Sequence, residues 1–232
     1  GCVLLPGRRR APTIVVSRSA DRAAPVPLEG AELEGLVYVF AEGAAGGTVS
    51  AIEYRIDGTE DWRPLHLVDE APFDLAGGGT PEAAAPLDVG YLAGGEHELR
   101  ATVRWDDGVV DELTVRFTTR SPRSGWFWTD DPMRANPRPL ASATLPPGDA
   151  HLIWAPGMRT DVIRVRFSVK DGPESLENRA PKDVGGTERR RAFDPPAPVA
   201  LAVGDHLVRA TLELDPPPST QDLEVRFVVA AP

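Results

Sequence analysis

The side chains best able to do chemistry in this sequence are carboxylates gathered in turns and tryptophans gathered on one short segment. Acidic residues cluster at Asp57, Glu60 and Asp61, at Asp106 and Asp107, and at Asp130 and Asp131. Several carboxylate oxygens converging from a turn are one way to hold calcium, a hard cation that binds through oxygen. None of these runs has the spacing of an established calcium loop, and acidic turns are also ordinary hairpin chemistry. Asp57, Asp61, Asp106 and Asp107 therefore stand as weak calcium candidates, and no other cofactor is expected. Trp126-Phe127-Trp128 is the stronger ligand candidate. In a strand, Trp126 and Trp128 share one face and Phe127 takes the other. Exposed, and joined by Trp62, those rings would make a platform for sugars or for a partner. Trp62 and Trp105 lie near turns with room to be exposed, whereas Trp154 is expected to end a core strand.

Nothing here assembles a catalytic group. The sequence has no Gly-x-Ser-x-Gly, and Gly77-Gly78-Gly79 lacks the Lys-Ser/Thr of a phosphate-cradling loop. No His-x-x-x-His, Cys-x-x-Cys or Glu-x-x-His spacing supports a transition-metal site. His97 and His206 each follow a Gly-acid turn at a strand start. That placement predicts a structural role, a ring nitrogen bonding a nearby backbone carbonyl across the turn. His66 and His151 show no partner in the sequence. The expectation is a protein that is not an enzyme.

Cys2 is the only cysteine, so no intrachain disulfide can form. Gly1-Cys2 resembles the end of a bacterial lipobox, in which a small residue precedes the cysteine that becomes lipidated. That resemblance implies lipidation at Cys2 and an anchor at the cell envelope. The competing expectation is an incidental cysteine at a truncated start.

The chemistry must be positioned by elements, and the elements come twice. Arg22-Ala-Ala-Pro25-Val-Pro27-Leu28-Glu-Gly-Ala31-Glu-Leu33 returns as Arg134-Ala-Asn-Pro137-Arg-Pro139-Leu140-Ala-Ser-Ala143-Thr-Leu145. Further on, Ala71-Pro72-Phe73-Asp74-Leu75 matches Ala180-Pro181-Lys182-Asp183-Val184, and Gly95-Glu-His97 matches Gly204-Asp-His206. Each copy closes on Leu-x-Val-Arg-Phe, at Leu113–Phe117 and Leu223–Phe227. A repeat this long is one small domain rather than a solenoid unit. The reading is a tail at 1–11, a first domain at 12–119, a polar linker at 120–124 and a second domain at 125–232. At the same offset, Trp126, Phe127 and Trp128 match Ile14, Val15 and Val16. The simpler reading is therefore a first strand packed into the core, with the extra aromatic bulk filling the joint between the two domains.

Charge is uneven. The first domain carries 7 basic and 20 acidic residues, net −13; the second carries 13 and 15, net −2. An acidic module argues against nucleic-acid binding, and no stretch is long and apolar enough for a membrane span.

Between the turns run short alternating segments: Ile52–Ile56, Leu99–Trp105, Leu113–Phe117, Ile163–Val169, Val208–Leu214 and Leu223–Phe227. Period two with Arg, Glu and Thr on the opposite side is the signature of half-buried antiparallel strands. Leu36–Phe40 is continuously apolar, as for a strand buried on both faces or under a neighbouring domain. Asp107-Gly108 is a hairpin signal. Prolines at 25, 27, 137 and 139 suit the ragged start of a sandwich, with Leu28 and Leu140 turning inward. The fold class expected is all-β, two tandem immunoglobulin-like antiparallel β-sandwiches.

The pattern Ser17-x-x-x-x-Arg22-x-x-Pro25-x-Pro27-Leu28-x-Gly30-Ala31, then Val37–Phe40, Ala71–Asp74, Leu92–His97 and Val115–Phe117, resembles the immunoglobulin-like modules repeated in tandem in extracellular bacterial proteins. The second copy departs from it: Gly30 becomes Ser142, Phe73 becomes Lys182, and His151–Trp154 replaces the Val-Tyr-Val-Phe strand. The resemblance implies a non-catalytic extracytoplasmic unit, a spacer, adhesion or accessory protein-interaction module. The alternative is a carbohydrate-binding pair using exposed tryptophans. The partner expected is a protein or glycan at the cell surface, not nucleic acid.

Overall fold

A computed structural model of the chain describes residues 9–57, 66–69, 71–76, 80–120, 122–131, 134, 136–159, 161–169, 174–177, 182–184, 198–216 and 219–231. The chain divides into two compact units, Gly1–Val89 with Gly95–Arg120, and Gly90–Gly94 with Ser121–Pro232. Among the described residues the regular structure is strand, apart from a 3-10 turn at Val89–Tyr91.

The strands of the first unit are β1 (Thr13–Ser17), β2 (Val26–Pro27), β3 (Ala31–Leu33), β4 (Leu36–Glu42), β5 (Val49–Ile56), β6 (His66–Val68), β7 (Phe73–Asp74), β8 (Leu87–Asp88), β9 (Gly95–Trp105) and β10 (Val110–Thr119). One sheet has the order β2-β1-β4-β7, with β8 also on β4; the other has the order β3-β10-β9-β5-β6. The second unit repeats this with β11 (Ser124–Thr129), β12 (Arg138–Pro139), β13 (Thr144–Leu145), β14 (Gly148–Pro156), β15 (Val162–Val169), β16 (Glu174–Glu177), β17 (Lys182–Asp183), β18 (Val199–Leu201), β19 (Gly204–Leu214) and β20 (Ser219–Val229). Its sheets are β12-β11-β14-β17, with β18 on β14, and β13-β20-β19-β15-β16.

The alternation expected in the sequence is the inward face of these strands. Leu99, Ala101, Val103 and Trp105 of β9 are buried, as are Val208, Ala210 and Leu212 of β19. Burying side chains of this kind stabilises by roughly 1.5–3 kcal/mol for each large one, which is what binds the two sheets of a sandwich together. The β9–β10 hairpin closes at Gly108, whose backbone has φ +82° and whose N–H donates to Trp105 O at 2.9 Å. One alternation fails: Ile163 is 48% exposed. The β15–β19 register shifts between Val162 and Arg164, and this irregularity turns Ile163 outward.

The sheets are not purely antiparallel. β3 pairs parallel with β10, and β13 parallel with β20. The chain starts in one sheet as β1, then crosses to the other as β3, and the proline-rich repeat is the crossing. A central strand does not tolerate proline, and Pro27 and Pro139 sit in the two-residue edge strands β2 and β12. Leu28 and Leu140 then turn into the core at 1% and 0% exposure. The crossing needs left-handed backbone at matching positions, φ +61° at both Arg22 and Arg134, +47° at Ala24 and +50° at Asn136, +72° at Gly30 and +58° at Ser142.

The strand buried on both faces is β14 rather than β4. Every residue from Ala150 to Pro156 is buried, whereas Leu36 of β4 is exposed. The outer side of β14 is covered by Tyr91 of the Gly90–Gly94 segment, which packs with Ile153, Ala155 and Phe127.

Candidate functional site

The aromatic run lies on β11. Trp126 and Trp128 do share a face, and that face is the core. Trp128 is 5% exposed within the apolar cluster that includes Leu140, Leu152 and Phe227. Trp126 is half-buried, edge-on to Phe167 at 5.9 Å between ring centres. The platform expected from Trp126 and Trp128 is corrected accordingly: β11 pairs with both β12 and β14, so its inner face looks between the sheets. The face of the Trp128 indole is capped by Arg138, whose guanidinium carbon lies over it, 3.9 Å from the ring centre. Arg138 is held in turn by Asp130 at 2.8 Å, and its hydrogen bond is the main reason the Asp130 carboxyl stays below the usual carboxylate range. Phe127, on the opposite face, packs on Tyr91. Trp105, which had room to be exposed, is buried at 2%, its Nε1 donating to Asp111 at 2.8 Å. Trp154 is core, as expected. Trp62 lies outside the described residues, as do Cys2 and Asp61.

The acidic turns direct their oxygens at protein donors. Asp57 accepts from His97 Nδ1 at 2.6 Å with one oxygen and from the Glu98 N–H at 3.0 Å with the other. Asp107 accepts from the Val109 N–H, the main reason its carboxyl stays below the usual range, and pairs with Arg9, which lowers it further. Asp106 lines an open hollow at one end of the first unit with Glu42, Asp69 and Phe73. Among the described residues no three His, Cys, Asp or Glu side chains converge as a metal site.

The equivalent histidines are cross-strand neighbours of equivalent phenylalanines. His97 opposes Phe117 and stacks on it at 5.2 Å; His206 opposes Phe227 and stacks on it at 5.3 Å. His206 bonds the Ala202 carbonyl at 2.7 Å, as the turn placement predicted. His97 uses Nδ1 to pair with the Asp57 carboxylate at 2.6 Å.

One constellation was missed from sequence. Arg22 makes a bidentate pair with Asp74, Nε–Oδ1 2.9 Å and Nη2–Oδ2 2.5 Å, and donates to the Thr80 and Pro81 carbonyls. Asp74 is 2% exposed. The signal was present, since both residues stand in repeated segments; Arg134 recurs at 5% exposure and Asp183 occupies the ladder position of Asp74.

The described side chains with strong polar chemistry thus mostly bind their own fold. The architecture they serve is an all-β sandwich repeated in tandem. No protein-family model and no curated protein matches the sequence. Among solved structures, the chain is similar to the fibronectin(III)-like modules of Clostridium thermocellum CbhA at 16% identity and TM-score 0.29, covering 94% of each chain. It is similar to SGBP-B of a Bacteroides ovatus mixed-linkage glucan utilization locus, seen with a heptasaccharide, at 13% identity and TM-score 0.29, covering 95% of this chain and 48% of that one. It is also similar to CopC of Methylosinus trichosporium OB3b, at 19% identity and TM-score 0.24, covering 47% of this chain and 92% of that one. Likeness at this level carries no argument about ligands.

Proposed function

We propose that this chain is a non-catalytic, extracytoplasmic tandem β-sandwich that serves as a spacer and accessory protein-interaction unit. The observation that carries the reading is what the two copies share. Their common residues are an arginine at the sheet crossing (Arg22, mostly covered, and Arg134, buried), an inward leucine (Leu28, Leu140), a stacked His–Phe pair and the prolines of the sheet crossing. Each of these builds the sandwich, and a duplicated activity would instead repeat an exposed or cleft-lining group. No helix among the described residues is long and apolar enough to cross a membrane. The extracytoplasmic setting is supported by the sequence resemblance to tandem extracellular modules.

The alternative, a carbohydrate-binding pair, keeps Trp126 as its described support, since that ring is half-buried rather than closed off. A glycan array probed with the full chain, with and without calcium, separates the two. The proposal expects no retained glycan in either condition. A glycan retained by the wild type and released by Trp126→Ala would overturn it.

A further inference from the structure

The two copies close on matched strands, β10 and β20, whose outer edges are covered unequally. β3 pairs with β10 only over Phe117–Thr119, and β13 pairs with β20 only at Val228 and Val229. Just before those ladders the Gly30 N–H donates to the Arg116 carbonyl, and the Ser142 N–H to the Arg226 carbonyl. These bonds fix which residues turn their backbone outward, since residues of an antiparallel strand alternate in the side to which they bond. In β20 they are Thr220, Asp222, Glu224 and Arg226.

In the first copy the Glu29 carboxylate accepts the Arg116 N–H at 2.9 Å and closes the edge there. Ala141 stands at that place in the second copy, with no side-chain acceptor to offer. The outward N–H groups from Thr220 to Arg226 thus have no acceptor among the described residues. Ser219, Thr220, Gln221 and Asp222 are all exposed, and Leu223 lies half-buried at the margin of the core.

An edge of alternating donors and acceptors is complementary to the backbone of another extended chain. A second β20 does not suit it. Antiparallel pairing over the whole open run Thr220–Glu224 sets Asp222 against Asp222, and like charges directly opposite are destabilising. The Asp222 carboxylate receives the Thr211 hydroxyl at 2.8 Å and no cation among the described residues. Glu224, in contrast, is already paired with Arg209 and Arg226. The unmatched charge on this edge is therefore that of Asp222.

We infer that the open edge of β20 takes up an extended segment of a partner polypeptide as an added strand, with a basic residue opposite Asp222 and apolar residues on either side of it facing inward beside Leu223. The inference rests on the reading of the chain as a protein-interaction unit, and names the surface and the chemistry of its partner. Backbone hydrogen bonds supply the attachment, and the alternating side chains supply the selectivity.

The test is a titration of the ¹⁵N-labelled full chain with acetyl-Thr-Val-Lys-Val-Thr-amide, a sequence that reads alike in both directions. Saturable amide shifts along Ser219–Arg226 are expected, with hydrogen exchange slowed at the outward N–H groups of Asp222 and Glu224. The same peptide methylated at the backbone nitrogen of its lysine is expected to give no saturable shift. Acetyl-Thr-Val-Glu-Val-Thr-amide is expected to bind about fivefold more weakly, the effect of reversing one exposed charge contact. Glu224→Pro removes an outward N–H and spares the ladder to β19, and is expected to abolish the shifts; Thr220→Pro, near the strand start, is the second such variant should the first fail to fold. Absence of saturable shifts with the lysine peptide, shifts without slowed exchange, undiminished binding of the methylated peptide, equal binding of the glutamate peptide, or undiminished binding by a folded proline variant would overturn the inference. Such failure leaves the non-catalytic reading standing, whereas glycan retention on the array would remove that reading without touching the edge result.

Discussion

Arg22 and Asp74 face each other across 52 residues of sequence in a bidentate ion pair whose carboxylate is almost wholly buried. The pair joins the sheet-crossing segment to β7 and holds the loop that supplies the Thr80 and Pro81 carbonyls. Breaking a buried pair on one side strands an uncompensated charge, at a cost of about 3–5 kcal/mol. Asp74→Ala is therefore expected to lower the urea midpoint of the first unit sharply. The double variant Arg22→Met with Asp74→Leu removes both charges and is expected to recover most of that loss. Denaturation monitored by intrinsic fluorescence checks both.

Asp57 bridges β5 to β9 through two hydrogen bonds while held at φ +55°. Asparagine tolerates that backbone and keeps a side-chain acceptor, whereas alanine keeps neither advantage. Asp57→Ala is expected to cost about 1–3 kcal/mol, and Asp57→Asn less than half as much. Thermal unfolding of the two variants side by side measures the difference.

Tyr54 is fully buried and donates to the Phe73 carbonyl at 2.7 Å. Burial, and secondarily the charge of Asp74, push its phenol far above the ordinary value. The folded chain thus keeps this proton where the unfolded chain releases it, above about pH 10. Its contribution to stability is intact below that pH and declines as pH rises through it. Tyr54→Phe is expected to flatten the alkaline loss of stability while costing about 1 kcal/mol at neutral pH for the lost hydrogen bond. Unfolding midpoints between pH 8 and 12 record both effects.

Ser142 stands where the first copy has Gly30, at φ +58°. A non-glycine residue pays about 1–2 kcal/mol for left-handed backbone, more than the extra unfolded-state freedom of glycine removes. Ser142→Gly is expected to stabilise the second unit by up to about 1 kcal/mol. A lower unfolding temperature than wild type would contradict this.

The sheets were legible in the sequence because alternation and turn chemistry act locally. Ile52–Ile56, Leu99–Trp105 and Val208–Leu214 declare their inner face residue by residue. What escaped depends on which strand neighbours which. Exposure of Trp128 turns on Arg138 reaching across from β12, and the outer face of β14 is covered by Tyr91, far away in sequence. The Arg22–Asp74 pair was written in both repeats, yet only the crossing of the chain between sheets brings its members together. The parallel β3–β10 pairing has the same origin: prolines announce an interruption, not where the chain resumes.

The reading to be tested is the proposal that the residues shared by the two copies are scaffold of a non-catalytic interaction unit, against uptake of glycan or calcium. Ligands that bind only the folded chain raise its unfolding temperature by mass action. Calorimetry of the full chain alone, in millimolar calcium, and in millimolar β-glucan oligosaccharide tests this most directly. The unfolding temperatures are expected to be the same in all three. A rise of several degrees with either addition, lost on Asp106→Asn or Trp126→Ala, would contradict it.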